Sequence, residues 1–283
     1  MKFAVDIPNF GRWADPSVAA EFAAAIERAG WDGISLWDHI YVWKGNEVGD
    51  PWVTMAAMAA ATEKLRLMML VTPMPRRRPW VVARQAVSMD MLSGGRFTFG
   101  VGIGYPPGPE FAVFGDETNA VKRGDMLDES LDIITGLWSG EEFKYSGDHY
   151  KLKKVQFLPK PVQEPRIPIW VAGMWPNKKP FRRAARYDGL APIAVDENGG
   201  FVTVTPEMAE EMIAYVHEHR DSDDEFDVTI IGGAPEAPGE RSELMARYQA
   251  AGVTWFRFGA DPEGGEEGVD SWIEAVLQGP PLT

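Results

Sequence analysis

The chain has 283 residues, 45% of them hydrophobic and 25% charged, enough apolar material for one large α/β barrel or two smaller domains and no compositional sign of disorder. A formal net charge of −14 repels phosphate backbones and anionic lipid surfaces, so nucleic-acid and membrane partners are not expected. The absence of Cys excludes disulfides, thiolate nucleophiles and Cys-ligated metals, and MKFAVDIPNF meets Asp6 and Pro8 too early for a signal peptide, so a cytoplasmic protein is expected.

Residues Lys2 to Ile7 read as a strand. Asp15-Pro16 then caps a helix carrying Val18, Phe22, Ile26 and Ala29 on one face and stopped at Gly30. Strand Gly33 to His39, helix Pro51 to Thr62, strand Lys64 to Thr72, helix Trp80 to Leu92, strand Phe97 to Ile103 and helix Ala120 to Trp138 continue the alternation. Residues 139–166 interrupt it with a hairpin around Ser146-Gly147-Asp148 and a Pro-rich extended stretch. Strand Ile167 to Ala172, helix Lys178 to Tyr187, strand Gly189 to Ile193 and helix Pro206 to His219 follow. Strand Asp227 to Ile231, helix Glu240 to Ala251, strand Thr254 to Gly259 and helix Val269 to Leu277 complete eight units.

Strands that are apolar along their whole length, alternating with amphipathic helices, imply a parallel sheet buried on both faces. Eight such units predict one domain over residues 1–283, a (β/α)8 TIM barrel with a hairpin insertion after the fourth helix. A barrel keeps its site at the C-terminal ends of its strands. Asp38 and His39 end the second strand within SLWDHIYVW; a hydrogen-bonded structural histidine is the alternative there.

Other rim groups are Asn9, Met69 to Thr72, Gly102 to Tyr105, Ala194 to Asp196, Gly232-Gly233 and Ala260-Asp261. Gly100, Gly102 and Gly104 are followed by Tyr105-Pro106 rather than a helix, so no dinucleotide fingerprint is formed. Either they pack tightly, or they let a flat ring approach the backbone. The stretch Val171 to Asn177, with Ala172, Gly173, Met174 and Trp175, offers backbone N–H groups for a phosphate beside Lys178 and Lys179; an ordinary loop is the alternative. Arg76, Arg77 and Arg78 either steer an anion or form an ion-paired face. No HExxH, GxSxG, P-loop or metal-ligand cluster is present, and His149, His217 and His219 read as surface residues.

WDHIYVW, AVSMDMLSGGRFTFGVGIG, FAVFG at 111–115 and FLPKPVQEPRIPIWVAG together resemble the bacterial luciferase-like oxidoreductases, which include FMN-dependent monooxygenases and enzymes using the deazaflavin F420. The resemblance implies a barrel whose rim binds the cofactor ring and a homodimeric assembly; no metal is expected, because the residues offer no ligand cluster. His39 matches the family's active-site histidine, Asp38 precedes it as in F420-using members, and Trp43 matches an aromatic residue lining the site of F420-dependent sugar-phosphate dehydrogenases. A non-prolyl cis peptide is implied around Met69-Leu70. Three features depart. Ile103 stands where luciferase binds the FMN phosphate through an arginine. Tyr105 stands where the sugar-phosphate dehydrogenases have an acid, and APIAVDENGG lacks their phosphate-gripping lysine.

The function these residues imply is flavin- or F420-dependent oxidoreduction of a small organic substrate, with F420 favoured over FMN and His39 as acid or base. An FMNH2-dependent monooxygenase is the main alternative; a non-catalytic ring binder and a barrel glycosidase are remote ones. The Ala- and Met-rich helix from Pro51 and the helix from Trp80 offer an apolar face for a homodimer.

Overall fold

The computed structural model describes residues 1–42, 44–232, 238–259 and 265–281. Its strands are β1 (Lys2–Ile7), β2 (Gly33–Leu36), β3 (Arg66–Pro73), β4 (Phe97–Gly102), β5 (Glu142–Ser146), β6 (Lys151–Gln156), β7 (Ile169–Trp175), β8 (Gly189–Val195), β9 (Phe201–Val202), β10 (Asp227–Gly232) and β11 (Trp255–Gly259). The helices are α1 (Pro16–Arg28), α2 (Pro51–Ala61), α3 (Pro79–Ser93), α4 (Pro107–Glu110), α5 (Ala120–Trp138), α6 (Lys178–Ala184), α7 (Pro206–Glu218), α8 (Pro238–Ala250) and α9 (Gly265–Val276).

Parallel pairing runs β10-β11-β1-β2-β3-β4-β7-β8, and β8 pairs back to β10, which closes an eight-stranded TIM barrel. The expected fold is therefore present, with β5 and β6 as the antiparallel insertion after α5. Capping chemistry sets the helix starts: Asp15 accepts from Ser17 N, Asp50 from Trp52 and Val53 N, Asn119 from Val121 and Lys122 N, and Thr205 from Met208 N. Proline occupies the first turn of α1, α2, α3 and α7.

Alternation along the strands sorts side chains into two cores. Phe3, Val5, Ile34, Leu36, Leu67, Met69, Phe97 and Phe99 pack outward against the helices, whereas Ala4, Met68, Leu70, Trp170, Ala191 and Trp255 fill the barrel. No helix among the described residues is long and apolar enough to cross a membrane.

Of the boundaries that differ from the sequence reading, three bear on the candidate residues. β2 ends at Leu36, which leaves Asp38 and His39 in the following loop. β7 continues to Trp175, because its pairing with β8 persists through Trp175↔Ala194, so Gly173, Met174 and Trp175 belong to a strand and not to a loop. Helix α6 stops at Ala184, where Arg186 N and Tyr187 N turn back to the carbonyls of Arg183 and Ala184.

Candidate active site

Asn9, fully buried after β1, fixes the main chain of the β2 loop: its side-chain nitrogen donates to the carbonyls of His39 and Gly49 at 2.8 Å each, and its oxygen accepts from His39 N at 3.1 Å. The His39 ring lies edge-on to Phe10 and Trp37, with centroids 6.2 and 5.8 Å away. Its Nδ1 faces Glu110 Oε1 at 3.3 Å. The imidazole is 20% exposed and the carboxylate 1% exposed, so a buried anion backs a histidine that reaches solvent. A cavity of about 280 Å³ opens beside them, lined by His39, Ile40, Val48, Asp50, Arg76 and Arg77 among others.

Glu110 ends the single turn α4. It accepts from the backbone N–H of Ile40 at 3.2 Å and Tyr41 at 3.0 Å, and from the Arg76 guanidinium. Burial alone would raise its pKa, yet the hydrogen bond and charge of His39, the Ile40 N–H and the Arg76 charge together hold it below the usual carboxylate range. Sequence reading missed this residue. Tyr105 stands where an acid was looked for, and the carboxylate comes from five residues further on, immediately before FAVFG.

Asp38 lies in a different position from the one its place in the sequence suggested. Its buried carboxylate accepts from Arg76 at 2.7 Å and from Arg77 at 2.8 Å on both oxygens, so its charge is spent inside an ion-pair network. The ion-paired alternative for Arg76 and Arg77 is thereby the one observed, while Arg78 stacks on Trp80 at 5.9 Å.

The second half of the support is aromatic. Phe111, fully buried, lies under the Arg123 guanidinium at 4.5 Å and the Arg76 guanidinium at 5.9 Å. Arg123 also donates to the carbonyls of Ile103 and Gly104 at 3.0 and 2.9 Å. Gly104 has φ +81°, and a Cβ there would lie 2.5 Å from the Phe111 ring; the close-packing reading of this glycine holds. Phe111 thus anchors the segment that delivers Glu110.

The barrel mouth has an apolar floor. A Cβ on Gly102 would stand 3.0 Å from Val71 and 3.4 Å from Ala172, so β3, β4 and β7 converge there with a step that any larger side chain would fill. The non-prolyl cis peptide is Leu70-Val71, one bond beyond the implied position, and both of its residues face the barrel-interior cluster. The structure therefore gathers Leu70, Gly102 and Ala172 at the mouth, with Met174 two residues beyond Ala172 on the same strand. It sends other candidates elsewhere. Met69 packs in the outer core, Gly173 abuts Phe181 and Pro180 of α6, and Trp175 meets Phe181 edge to face with centroids 4.9 Å apart. Lys178 Nζ lies 3.3 Å over the Trp175 ring, a cation–π contact. Trp43, Gly233, Ala260 and Asp261 lie outside the described residues. No metal-binding group of His and carboxylates occurs among the described residues.

A family model described as luciferase-like monooxygenase matches residues 3–268. An uncharacterised protein of Mycobacterium bovis is 36% identical over 59% of this chain and 62% of its own length. An F420-dependent glucose-6-phosphate dehydrogenase of Amycolatopsis mediterranei is 32% identical over 62% of this chain and 51% of its own length. The matched stretches thus span about half to three fifths of those relatives. Among solved structures, an F420-dependent secondary alcohol dehydrogenase in complex with an F420-acetone adduct superposes with a TM-score of 0.75 at 20% identity, covering 98% of both chains, a likeness of fold.

Proposed function

We propose, because the chain belongs to the luciferase-like monooxygenase family, that it is an oxidoreductase using F420, with FMN as the alternative, to act on a small organic substrate. The observation that carries the reading is a solvent-reaching histidine backed by a buried carboxylate, His39 on Glu110, at the mouth of a barrel floored by Val71, Gly102 and Ala172. The side-chain-free step at Gly102 fits a flat ring. Residues Leu70, Val71, Gly102, Ala172 and Met174 are the ones that would hold it.

When bound, the deazaflavin supplies a hydride acceptor or donor. The protein supplies the proton path. Glu110 selects the imidazole tautomer with its proton on Nδ1, which leaves a lone pair on Nε2. In the direction of alcohol oxidation, His39 Nε2 receives the hydroxyl proton as the substrate carbon gives up its hydride, and Glu110 stabilises the resulting imidazolium. Asp38 acts at one remove, by holding Arg76 and Arg77 in place around that pair.

The F420-dependent relative favours the deazaflavin, while the monooxygenase description of the family keeps FMN as the second reading. Titrating the protein with F420, FMN and reduced FMN by fluorescence separates them: F420 binding without FMN binding is expected, FMN binding alone reverses the assignment, and binding of neither sinks both. The cysteine-free chain suits the reducing cytoplasm.

A homodimer through α2 and α3 is part of the same proposal. Val53, Val81, Met91 and Leu92 expose large apolar side chains there. Light scattering at micromolar concentration is expected to give twice the chain mass, and Val81→Glu with Leu92→Glu to give a monomer; a monomeric wild type ends the proposal.

A further inference from the structure

After β8 the chain reverses in a tight, built turn. Asp196 accepts from Asn198 N and Gly200 N at 2.8 Å each, Gly199 takes φ +81°, and β9 returns antiparallel to β8 with Val195 opposite Phe201. This turn carries Phe201 to Tyr105, in the segment after β4. The two rings meet edge to face, with centroids 5.5 Å apart at 90°. Because β4 and β8 flank β7, the contact bridges the end of β7, where Ala172 and Met174 are half-buried. Both aromatic side chains stay open to solvent, Tyr105 at 51% and Phe201 at 59%. Two large rings held against each other at the edge of an apolar floor leave their remaining faces free for a further apolar body.

The charges nearby point the same way. Arg76 and Arg77 are committed to Asp38 and Glu110, Arg123 to the carbonyls of Ile103 and Gly104, and Lys178 to the rings of Trp175 and Tyr215. The turn that presents Phe201 adds the carboxylates of Asp196 and Glu197. The exposed Lys44 and Lys179 belong to the loop after β2 and to α6, outside the two segments that meet here. A phosphorylated substrate arriving at this edge gains no guanidinium or ammonium from those four residues and meets two like charges.

We propose that Tyr105 and Phe201 form the substrate-side wall of the site, and that it takes an uncharged aromatic or alicyclic alcohol or carbonyl compound in preference to a phosphorylated one. The redox chemistry in this inference rests on the function proposed above; the wall and its charge preference do not. Tyr105 and Phe201 are specificity residues rather than proton carriers. Their contact with the non-reacting part of the substrate sets its affinity and leaves the proton transfer at His39 unaltered.

The test uses 1-phenylethanol and phenyl phosphate as probes, with binding followed by ligand-observed NMR on the full chain, with and without F420. The neutral alcohol is expected to bind at least about tenfold more tightly than phenyl phosphate. Phe201→Ala is expected to weaken the alcohol by about tenfold and Phe201→Tyr by less than about twofold, while F420 affinity measured by fluorescence stays within about twofold of wild type. Equal or tighter binding of phenyl phosphate overturns the proposal. So does an unchanged affinity in Phe201→Ala, or binding of neither probe. If the wild type binds neither F420 nor FMN, the redox reading fails separately, and the two probes on the cofactor-free protein still decide the wall.

Discussion

Glu110 organises the site at the scale of single residues. Its carboxylate meets an imidazole, a guanidinium and two backbone N–H groups while 1% exposed, so replacing it with Gln keeps the shape and removes the charge that Arg76 and His39 share. Two consequences follow. The first is catalytic: without the anion the Nδ1–H tautomer loses its support, and kcat/KM is expected to fall roughly a hundredfold with F420 affinity nearly unchanged. Imidazole 15N shifts should then report a redistributed tautomer, and unaltered shifts would remove the positioning role. The second concerns stability. A carboxylate whose folded pKa is depressed stabilises the fold above its unfolded pKa and loses that contribution as pH falls through the folded value. The difference in melting temperature between wild type and Glu110→Gln should therefore be largest near neutrality and shrink below about pH 4. His39 was legible in the sequence because it follows an apolar strand. Glu110 was not, because PPGPE has no periodicity and only the folded turn carries its acid to the β2 loop. Asp38 and the arginine run were each visible but their pairing was not, since Asp38 and Arg76 lie 38 positions apart in the chain.

The insertion between α5 and β7 behaves as an element fastened at two points. Glu129 on α5 accepts from the N–H groups of Asp148, His149 and Tyr150, which closes the hairpin turn. Asp90 on α3, fully buried, accepts from Val162 N at 2.8 Å, Gln163 N at 3.1 Å and Gln163 Nε2 at 2.6 Å. Removing that carboxylate takes the acceptor from the N–H groups of Val162 and Gln163 and leaves Gln163 Nε2 only the Phe97 carbonyl, at 2.8 Å. Asp90→Ala is accordingly expected to cost about 2–4 kcal/mol and to expose residues 157–166 to proteolysis before the barrel melts. A variant that loses less than about 1 kcal/mol, with the same digestion pattern, would show that the stretch is held by other contacts. The elements themselves were largely readable, because strands buried on both faces need apolar side chains throughout and their helices need one apolar stripe. The misjudged piece is instructive. Gly173-Met174-Trp175-Pro176 has the composition of a turn, and only its partner β8, running alongside to Ala194, makes it a strand.

Polar groups inside the barrel bridge the junction that closes it. Asp6 of β1 accepts from Ser35 Oγ of β2, from Trp37 Nε1 at 2.5 Å and from Arg257 of β11 at 2.5 Å, while Arg257 Nε donates to Thr229 of β10 at 2.9 Å. The Asp6–Arg257 pair therefore links four successive strands, β10, β11, β1 and β2, across the junction where the first strand of the chain meets the last. The sequence carried a sign of this: Asp6 and Arg257 each interrupt a short apolar strand, and a charge facing the interior of a closed barrel needs a partner there. Register alone does not supply that partner, since Arg257 lies beside Ala4 and reaches Asp6 with its side chain. Substituting Asp6→Asn preserves volume but removes the carboxylate charge that faces the guanidinium, itself 6% exposed. The expected loss is about 3–5 kcal/mol, roughly 6–15 °C in melting temperature. Replacing both partners by apolar residues, Asp6→Leu with Arg257→Met, removes the unpaired charge along with the pair and should recover more than half of that loss. If the single variant melts within about 2 °C of wild type, the closure is held by the parallel ladder between β1 and β11 alone. The Trp37 indole, one of the Asp6 donors, also lies 5.8 Å from the His39 ring. The single variant should therefore lose activity at temperatures well below its melting point, whereas the ladder alone predicts that activity and fold disappear together.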